Sequence, residues 1–306
     1  MALALSACAT PAGVGDGGGG PSSPDHDYEA VAQWAAEVAD AWTSAPRDLS
    51  WRQGYVPLQE PLLVEGTLSD AEKMALSAGW WRSSVALPSE VPPAGTITFP
   101  DGTLSAPLVS AADAYAALDQ GDPPPCTEPT VPPVPAPDAS GPDGSVSSRA
   151  MSDCTALTVT GVSLATAEVR TSRGLASAPA WRFDIGGGRA VLRVAVADPS
   201  PVPSPAPTPS NRPAPPEMVA AQDVTSVDGA ILDYRLGVGA CDEDITPIVV
   251  ERVDVVVVSG GVHRSSGVCT DQLLIHPVSV TLEEPLGDRP VLDARNGTVL
   301  PQRALG

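Results

Sequence analysis

The sequence predicts a mainly β fold: an antiparallel β-sandwich or barrel-like C-terminal region preceded by a small α+β region. Three observations predict it. After residue 154 a series of short runs alternates apolar and polar side chains, the period of a half-buried strand. Turn signals such as Asp228-Gly229 separate those runs, and no long helical pattern intervenes. Before residue 122, by contrast, apolar residues recur at helical spacing beside a hairpin signal.

The elements follow in order. Tyr28, Val31, Trp34, Ala35, Val38 and Trp42 fall at three- and four-residue steps and predict a helix. Asp25 or Asp27 can cap it, and Pro46 ends it. Trp34 and Trp42 share its apolar face and so belong to a core. Ser69-Asp-Ala-Glu72 has capping-box spacing and starts a short helix to about Ala78. Trp80-Trp81 follows; in an extended chain the two rings point opposite ways, which leaves one exposed as a ligand platform. Residues 96–99 and 103–109 flank Pro100-Asp101-Gly102 and predict a β-hairpin. Ser110 caps a third helix over 111–120, and Gly121 stops it.

Residues 123–153 are rich in Pro, Gly and Ser and are expected to form a solvated, disordered loop. Strands then follow at 157–162, 167–171, 180–185 and 190–196. A second Pro-rich insertion occupies 199–216. Strands resume at 224–227 and 230–238, and residues 248–250 and 253–258 flank a hairpin turn at Glu251-Arg252. The β-branched run 253–258 reads as a central strand. Residues 273–282 and 291–292 complete the set. The organisation is thus 1–8, 9–24 (flexible tether), 25–122 (small α+β region), 123–153 (loop) and 154–306 (antiparallel β domain).

Charge and composition exclude several functions. The 306 residues carry a net charge of −20 with no basic run, which excludes nucleic acid as a partner. Lys73 is the only lysine. No apolar stretch is long enough for a spanning helix. Three His and five Cys, with no CxxC, leave no metal set. No cofactor motif occurs either.

Leu5-Ser6-Ala7-Cys8 resembles a bacterial lipobox, in which the Cys sulfur is acylated and becomes the mature N-terminus. Residues 1–8 then read as the remnant of a signal peptide. They are too short, and lack the basic start, for a whole one, so the precursor is expected to begin upstream. Setting Cys8 aside leaves Cys126, Cys154, Cys241 and Cys269, an even set suited to an exported chain. Three pairings exist. Sequential pairing is the one expected, with the partners 28 apart in each case. Each bridge would close a loop worth ~3.6 kcal/mol in the chain-entropy model.

The blocks from Cys154 to Gly161, Thr171-Ser-Arg-Gly174, Pro179-Ala-Trp-Arg-Phe183 and Thr281 to Asp293, with Gly-Ala-Cys-Asp242 before the last, resemble recurring segments of secreted actinobacterial lipoproteins of unknown function. The likeness implies export and a lipid anchor. It carries no catalytic or ligand-binding residue with it. Recurrence of these blocks nominates Arg173, Asp288 and Arg289, beside Trp80 and Trp81, as binding candidates. Both Arg173 and Arg289 sit in turn signatures, with Gly174 at a positive-φ position and Arg289 placed to hold loop carbonyls or to pair with Asp288 or Asp293.

Catalytic motifs are scarce. Ser259-Gly-Gly261 reads as a solvated hairpin tip, with His263 as the base a nucleophile there would need. Asp242-Glu243-Asp244 and Glu283-Glu284 read as acidic surface; a hydrolase would need two such carboxyls in one cleft. The acidic triplet offers oxygen ligands for calcium, without EF-hand spacing. The expected function is therefore a lipid-anchored envelope lipoprotein on the outer face of the cytoplasmic membrane. It would act as a non-catalytic binding or interaction module toward cell wall, protein or small ligand. A secreted hydrolase using a carboxylate pair is the alternative.

Overall fold

A computed structural model describes residues 28–47, 49–123, 155–265, 267 and 269–304. Cys8, the 9–24 tether, the bulk of the 123–153 loop and the Cys126–Cys154 pair lie outside the described residues. The first elements are α1 (Glu29–Ser44), α2 (Leu49–Gln53), β1 (Leu62–Glu65), α3 (Asp70–Ala78), β2 (Trp81–Ser83), β3 (Gly95–Phe99), β4 (Gly102–Ala106) and α4 (Ala111–Ala116). Then come β5 (Leu157–Val159), β6 (Gly161–Thr171), β7 (Gly174–Gly186), β8 (Arg189–Val194), β9 (Met218–Val219), β10 (Ala221–Asp228) and β11 (Ile231–Gly239). The chain closes with β12 (Asp242–Arg252), β13 (Val255–Arg264), β14 (Leu273–Thr281) and β15 (Val291–Asp293). The fold is mainly β with antiparallel sheets and a few helices, as the alternating runs predict.

Local chemistry explains the helix ends. Ser69 Oγ accepts from the Glu72 N–H, and the Glu72 carboxylate accepts from the Ser69 N–H, so the capping box of α3 is complete. Gly79, at φ 68°, closes the same helix in the left-handed region. Ser110 caps α4, but the helix stops at Ala116, short of residue 120. The Gln120 N–H is drawn instead to the Gly79 carbonyl at 2.8 Å, which takes the chain out of the helix.

β7 is long enough to serve three neighbours. β6 pairs along one edge, and β8 and β3 share the other, giving a six-stranded sheet in the order β1-β8-β7-β3-β4 with β6 beside β7. Strands from both sides of residues 123–153 therefore lie in one sheet. One face carries Trp181, Phe183, Ile185 and Val191 against α3 and α4. The other is floored by small residues, Ala176, Ala178 and Ala180, under Tyr55, Ile97 and Phe99.

The later strands form two facing sheets, β10-β11-β14 and β12-β13-β15 with β9 also on β13. β13 is central and buried on both faces. Val255 and Val257 meet Val31, Trp34, Val38 and Trp42 of α1, while Val256 and Val258 meet Val224, Leu232, Tyr234 and Leu236. The Trp34 indole N–H also donates to the Ala294 carbonyl at 2.9 Å. The Pro-rich insertion packs onto this layer: Ala206 is buried against α1, and Arg212 pairs with Glu37.

Two expectations are corrected here. The β12–β13 turn falls at Val253-Asp254, two residues beyond Glu251-Arg252. Glu251 and Arg252 stay in the strand because each holds a partner, Arg289 and Asp40 respectively. Ser259-Gly260-Gly261 is no hairpin tip. It lies inside β13 and is buried, with Ser259 Oγ donating to the Val219 carbonyl at 2.8 Å. The glycines serve close approach rather than a turn: a Cβ on Gly261 would stand 2.4 Å from the Tyr28 ring, and one on Gly260 2.5 Å from Leu236.

The Cys241–Cys269 disulfide is formed. It joins the β11–β12 connection to the β13–β14 connection, so both crossovers between the facing sheets are stapled at one end. Polar contacts lock these sheets to the six-stranded one. The tail lies as a strand between the 58–60 segment and β10: the Glu60 N–H donates to the Gln302 carbonyl and the Arg303 N–H to the Val224 carbonyl, both at 2.8 Å. Arg170 of β6 donates to the carbonyls of Gly287 and Arg289. Arg289 is itself buried, donates to the Glu284, Pro285, Leu286 and Arg252 carbonyls, and pairs with Glu251 at 2.9 Å. Of the alternatives for Arg289, loop carbonyls are what it holds; its carboxylate is Glu251 rather than Asp288 or Asp293.

Removing that guanidinium leaves the Glu251 carboxylate with the Glu283 N–H alone and strips several loop carbonyls of their donor. Arg289→Met is expected to lower unfolding free energy by about 3 kcal/mol, read as a lower urea midpoint at unchanged slope. Asp293 supplies a pH-dependent term. It is fully buried, and its carboxylate accepts from the Ala221 N–H at 2.9 Å and the Asn296 N–H at 3.2 Å. Burial pushes its pKa from the usual 3.8 up to about 6, against the pull of those N–H groups. Between the two values the native chain binds the extra proton. The contribution is therefore full below about pH 4 and is lost as pH rises through about 6, a change of up to about 3 kcal/mol. The difference between wild type and Asp293→Asn across that range is expected to show this slope, and carboxyl carbon shifts are expected to titrate near pH 6.

Candidate functional site

Helix α3 turns two faces to different surroundings. Ala75 and Leu76 are buried, whereas Asp70, Lys73, Met74 and Ser77 recur at i, i+3, i+4 and i+7 and form one wall of a cleft. The facing wall comes from Glu60, Leu62 of β1, Arg235 of β11, and Arg303 and Ala304 of the tail. The cleft encloses about 590 Å³. It exists because the tail strand brings the β10–β11 hairpin alongside β1.

Most charges around it are already matched. Asp223 receives both arms of Arg235, one at 2.7 Å, and Arg303 at 3.3 Å. Glu60 accepts from the Ala304 N–H at 3.1 Å and faces Arg303 at 3.6 Å. One cation of the lining, Lys73, and one outside it, Arg193, are not matched. Lys73 is exposed and makes no ion pair among the described residues. Arg193 of β8 stands directly across the β1–β8 pair from Leu62, on the same sheet face. It is half-buried and has no hydrogen-bond or salt-bridge partner among the described residues, and burial lowers its guanidinium pKa. Neither was nominated from sequence. The one available signal was that Lys73 is the only lysine; nothing distinguished Arg193 from the other arginines.

The nominated residues lie elsewhere and do not converge. Trp81 is buried, with its ring edge-on to Tyr115, and Trp80 packs half-buried on the same core cluster. The pair makes no aromatic platform, because α3 and α4 need both rings as cover. Arg173 stacks on Phe99 at 3.8 Å, pairs with Asp101 at 2.7 Å and donates to the Gln53 carbonyl. It clamps the β6–β7 turn, where Gly174 has φ 91°, to the tip of the β3–β4 hairpin. Asp288 is exposed beside the buried Arg289.

The catalytic candidates fare similarly. Ser259 is inaccessible, and His263 lies four residues along the same strand, about 13 Å away. The two acidic runs sit at opposite ends of the facing sheets, since Asp242 begins β12 whereas Glu283 donates its N–H to Glu251 near the far end of that strand. No group of three His, Cys, Asp or Glu among the described residues could hold a metal ion. No family model, curated protein or solved structure matches the chain.

An uncompensated, half-buried guanidinium destabilises the sheet that carries it. Arg193→Met keeps the length and apolar stem of the side chain and is expected to raise the thermal midpoint by a few degrees, about 1 kcal/mol, in differential scanning calorimetry without added ligand. A lower midpoint would mean that Arg193 has an acceptor in the folded chain.

Proposed function

We propose that this chain is a lipid-anchored envelope lipoprotein, held to the outer face of the cytoplasmic membrane through acylated Cys8 and acting as a non-catalytic binding module. The observation that carries the reading is the Cys241–Cys269 disulfide. Stable structural disulfides belong to oxidising compartments, and an exported chain with a lipobox is retained at the membrane by its acyl chains. The likeness to secreted actinobacterial lipoproteins agrees with that compartment. The ligand-sized cleft between α3 and the tail gives the module a place to bind.

A second reading has one observation behind it. Glu60 and Asp70 line the same cleft, the arrangement that a carboxylate-pair hydrolase requires. Glu60, however, is already held by Arg303 and the Ala304 N–H.

Intact mass of the protein from the native membrane fraction, before and after reduction, tests the first reading. The expected result is a chain starting at Cys8 with its lipid, gaining two hydrogens for each disulfide reduced. A fully reduced, unlipidated product in the soluble fraction would overturn it. Turnover on a glycoside and ester panel, abolished by Glu60→Gln and Asp70→Asn, would favour the second.

A further inference from the structure

The β10-β11-β14 sheet ends on one side at β14. The ladder to β11 fixes which backbone groups that edge leaves open. The Leu282 N–H donates to the Ala230 carbonyl at 2.8 Å, and the Ala240 N–H to the Gln272 carbonyl at 3.1 Å. With Ile231 opposite Thr281 and Gly239 opposite Leu273, the even-numbered residues of β14 bond to β11. The backbone groups of Leu273, Ile275, Pro277, Ser279 and Thr281 therefore point away from the sheet. Nothing pairs with them among the described residues. Pro277 has no N–H and stands at one of these outward positions, where a strand tolerates it. The other four keep their donors.

The side chains leave the same edge uncovered. Leu273, Leu274 and Ile275 are consecutive and 63%, 41% and 48% exposed. Folded chains ordinarily blunt such an edge with charged side chains, yet β14 carries no Asp, Glu, Lys or Arg. Negative charge lies around it instead. Exposed Asp271 precedes the strand, exposed Glu283 and Glu284 follow it, and Asp233 of β11 stands across from Ser279. None of these four carboxylates has a cationic partner among the described residues. At the Leu273 end the edge runs into a hollow of about 360 Å³ whose lining includes Asp271.

We propose that β14 is a docking edge, to which an extended segment of a cationic protein partner adds as a fourth strand. Main-chain bonds to the outward groups of Leu273, Ile275, Ser279 and Thr281 hold the segment, and its apolar side chains cover Leu273 and Ile275. Its lysines or arginines meet the flanking carboxylates. Hydrocarbon offers no acceptor for the outward N–H groups, which argues against a lipid surface. A second copy would bring its own charge of −20 and the same carboxylates to the edge. The inference rests on the reading of the chain as a binding module, names its partner class, and is independent of whether Cys8 is acylated.

The test titrates the full chain with the acetylated, amidated heptapeptide Val-Lys-Val-Thr-Val-Lys-Val and with its counterpart carrying Glu for Lys. Saturable binding of the lysine peptide is expected, about tenfold tighter than that of the glutamate peptide. Amide hydrogen exchange read by NMR is expected to slow at Leu273, Ile275 and Ser279 on binding. The Leu274 and His276 N–H groups, already bonded to β11, are expected to change little. Ile275→Pro removes one outward donor at a position equivalent to Pro277 and is expected to weaken binding about tenfold. Val253→Lys, at an exposed apolar residue in the β12–β13 turn, is expected to leave it unchanged. Near-UV circular dichroism establishes that each variant is folded; should Ile275→Pro not fold, Ile275→Lys keeps the backbone and carries the test. No saturable binding, no slowing at the odd-numbered amides, or an equal loss in Val253→Lys would overturn the proposal. Equal affinity for the glutamate peptide would overturn the cationic half of it. Slowing of the same amides by phosphatidylcholine vesicles alone, or by self-association in sedimentation, would give the edge to a lipid surface or a second copy and overturn the partner named here. Failure of the peptides with Cys8 acylated would overturn this edge alone, since the mass of the membrane-fraction protein reads the compartment separately.

Discussion

The central constraint is that β13 must be covered on both faces. Residues 255–260 are buried without a break, so no single partner layer can satisfy them. Helix α1 covers one face with Trp34 and Trp42, and the β10–β11 hairpin covers the other with Tyr234 and Leu236. Each of these layers has its own consequence. The helix approaches so closely that Gly261 must lack a side chain beneath Tyr28. The hairpin requires the chain to cross between facing sheets twice at the same end, where Cys241 and Cys269 then meet. Constraint of those crossovers acts mainly by limiting the unfolded chain, in the loop-closure account of disulfides.

The six-stranded sheet is attached to this core by polar contacts and by Val56 and Leu58, which are hydrogen-bonded to the end of β6 and buried under α1. The tail strand donates and accepts on both sides, and Arg170 and Arg289 gather carbonyls from the 284–290 loop. Such joints are directional. They fix the two parts in one relative register, and the groove between them becomes a cleft of set width between α3 and the tail. Charge within that cleft is arranged by the same contacts, since Arg303 belongs to the tail strand and Arg235 to β11.

Much of the architecture was legible in the residues. The α1 stripe, the capping box at Ser69, the Asp228-Gly229 turn and the central role of the valine run are all local patterns, and local patterns report periodicity and capping directly. The misread segment, Ser259-Gly-Gly261, shows where locality fails. A Ser-Gly-Gly run looks like a turn because glycine is permissive, yet here glycine serves the approach of Tyr28 and Leu236 from sequence positions far away. Trp80 and Trp81 were similarly ambiguous, because an aromatic pair suits a core as well as a platform. The cleft itself left almost no trace, as its walls come from residues 60–62, 70–77, 235 and 303–304.

By itself the sequence determined the fold class, the ends of α3 and an even cysteine set, because periodicity, capping and cysteine number are properties of neighbouring residues or simple counts; which of the three pairings forms is decided only where the fold brings Cys241 to Cys269. Tertiary structure alone decided which arginines are matched. Arg289 found Glu251, Arg173 found Phe99 and Asp101, and Arg193 found no acceptor among the described residues. The physical reason is that a guanidinium's partner is set by strand register and packing across the fold, which no local pattern encodes.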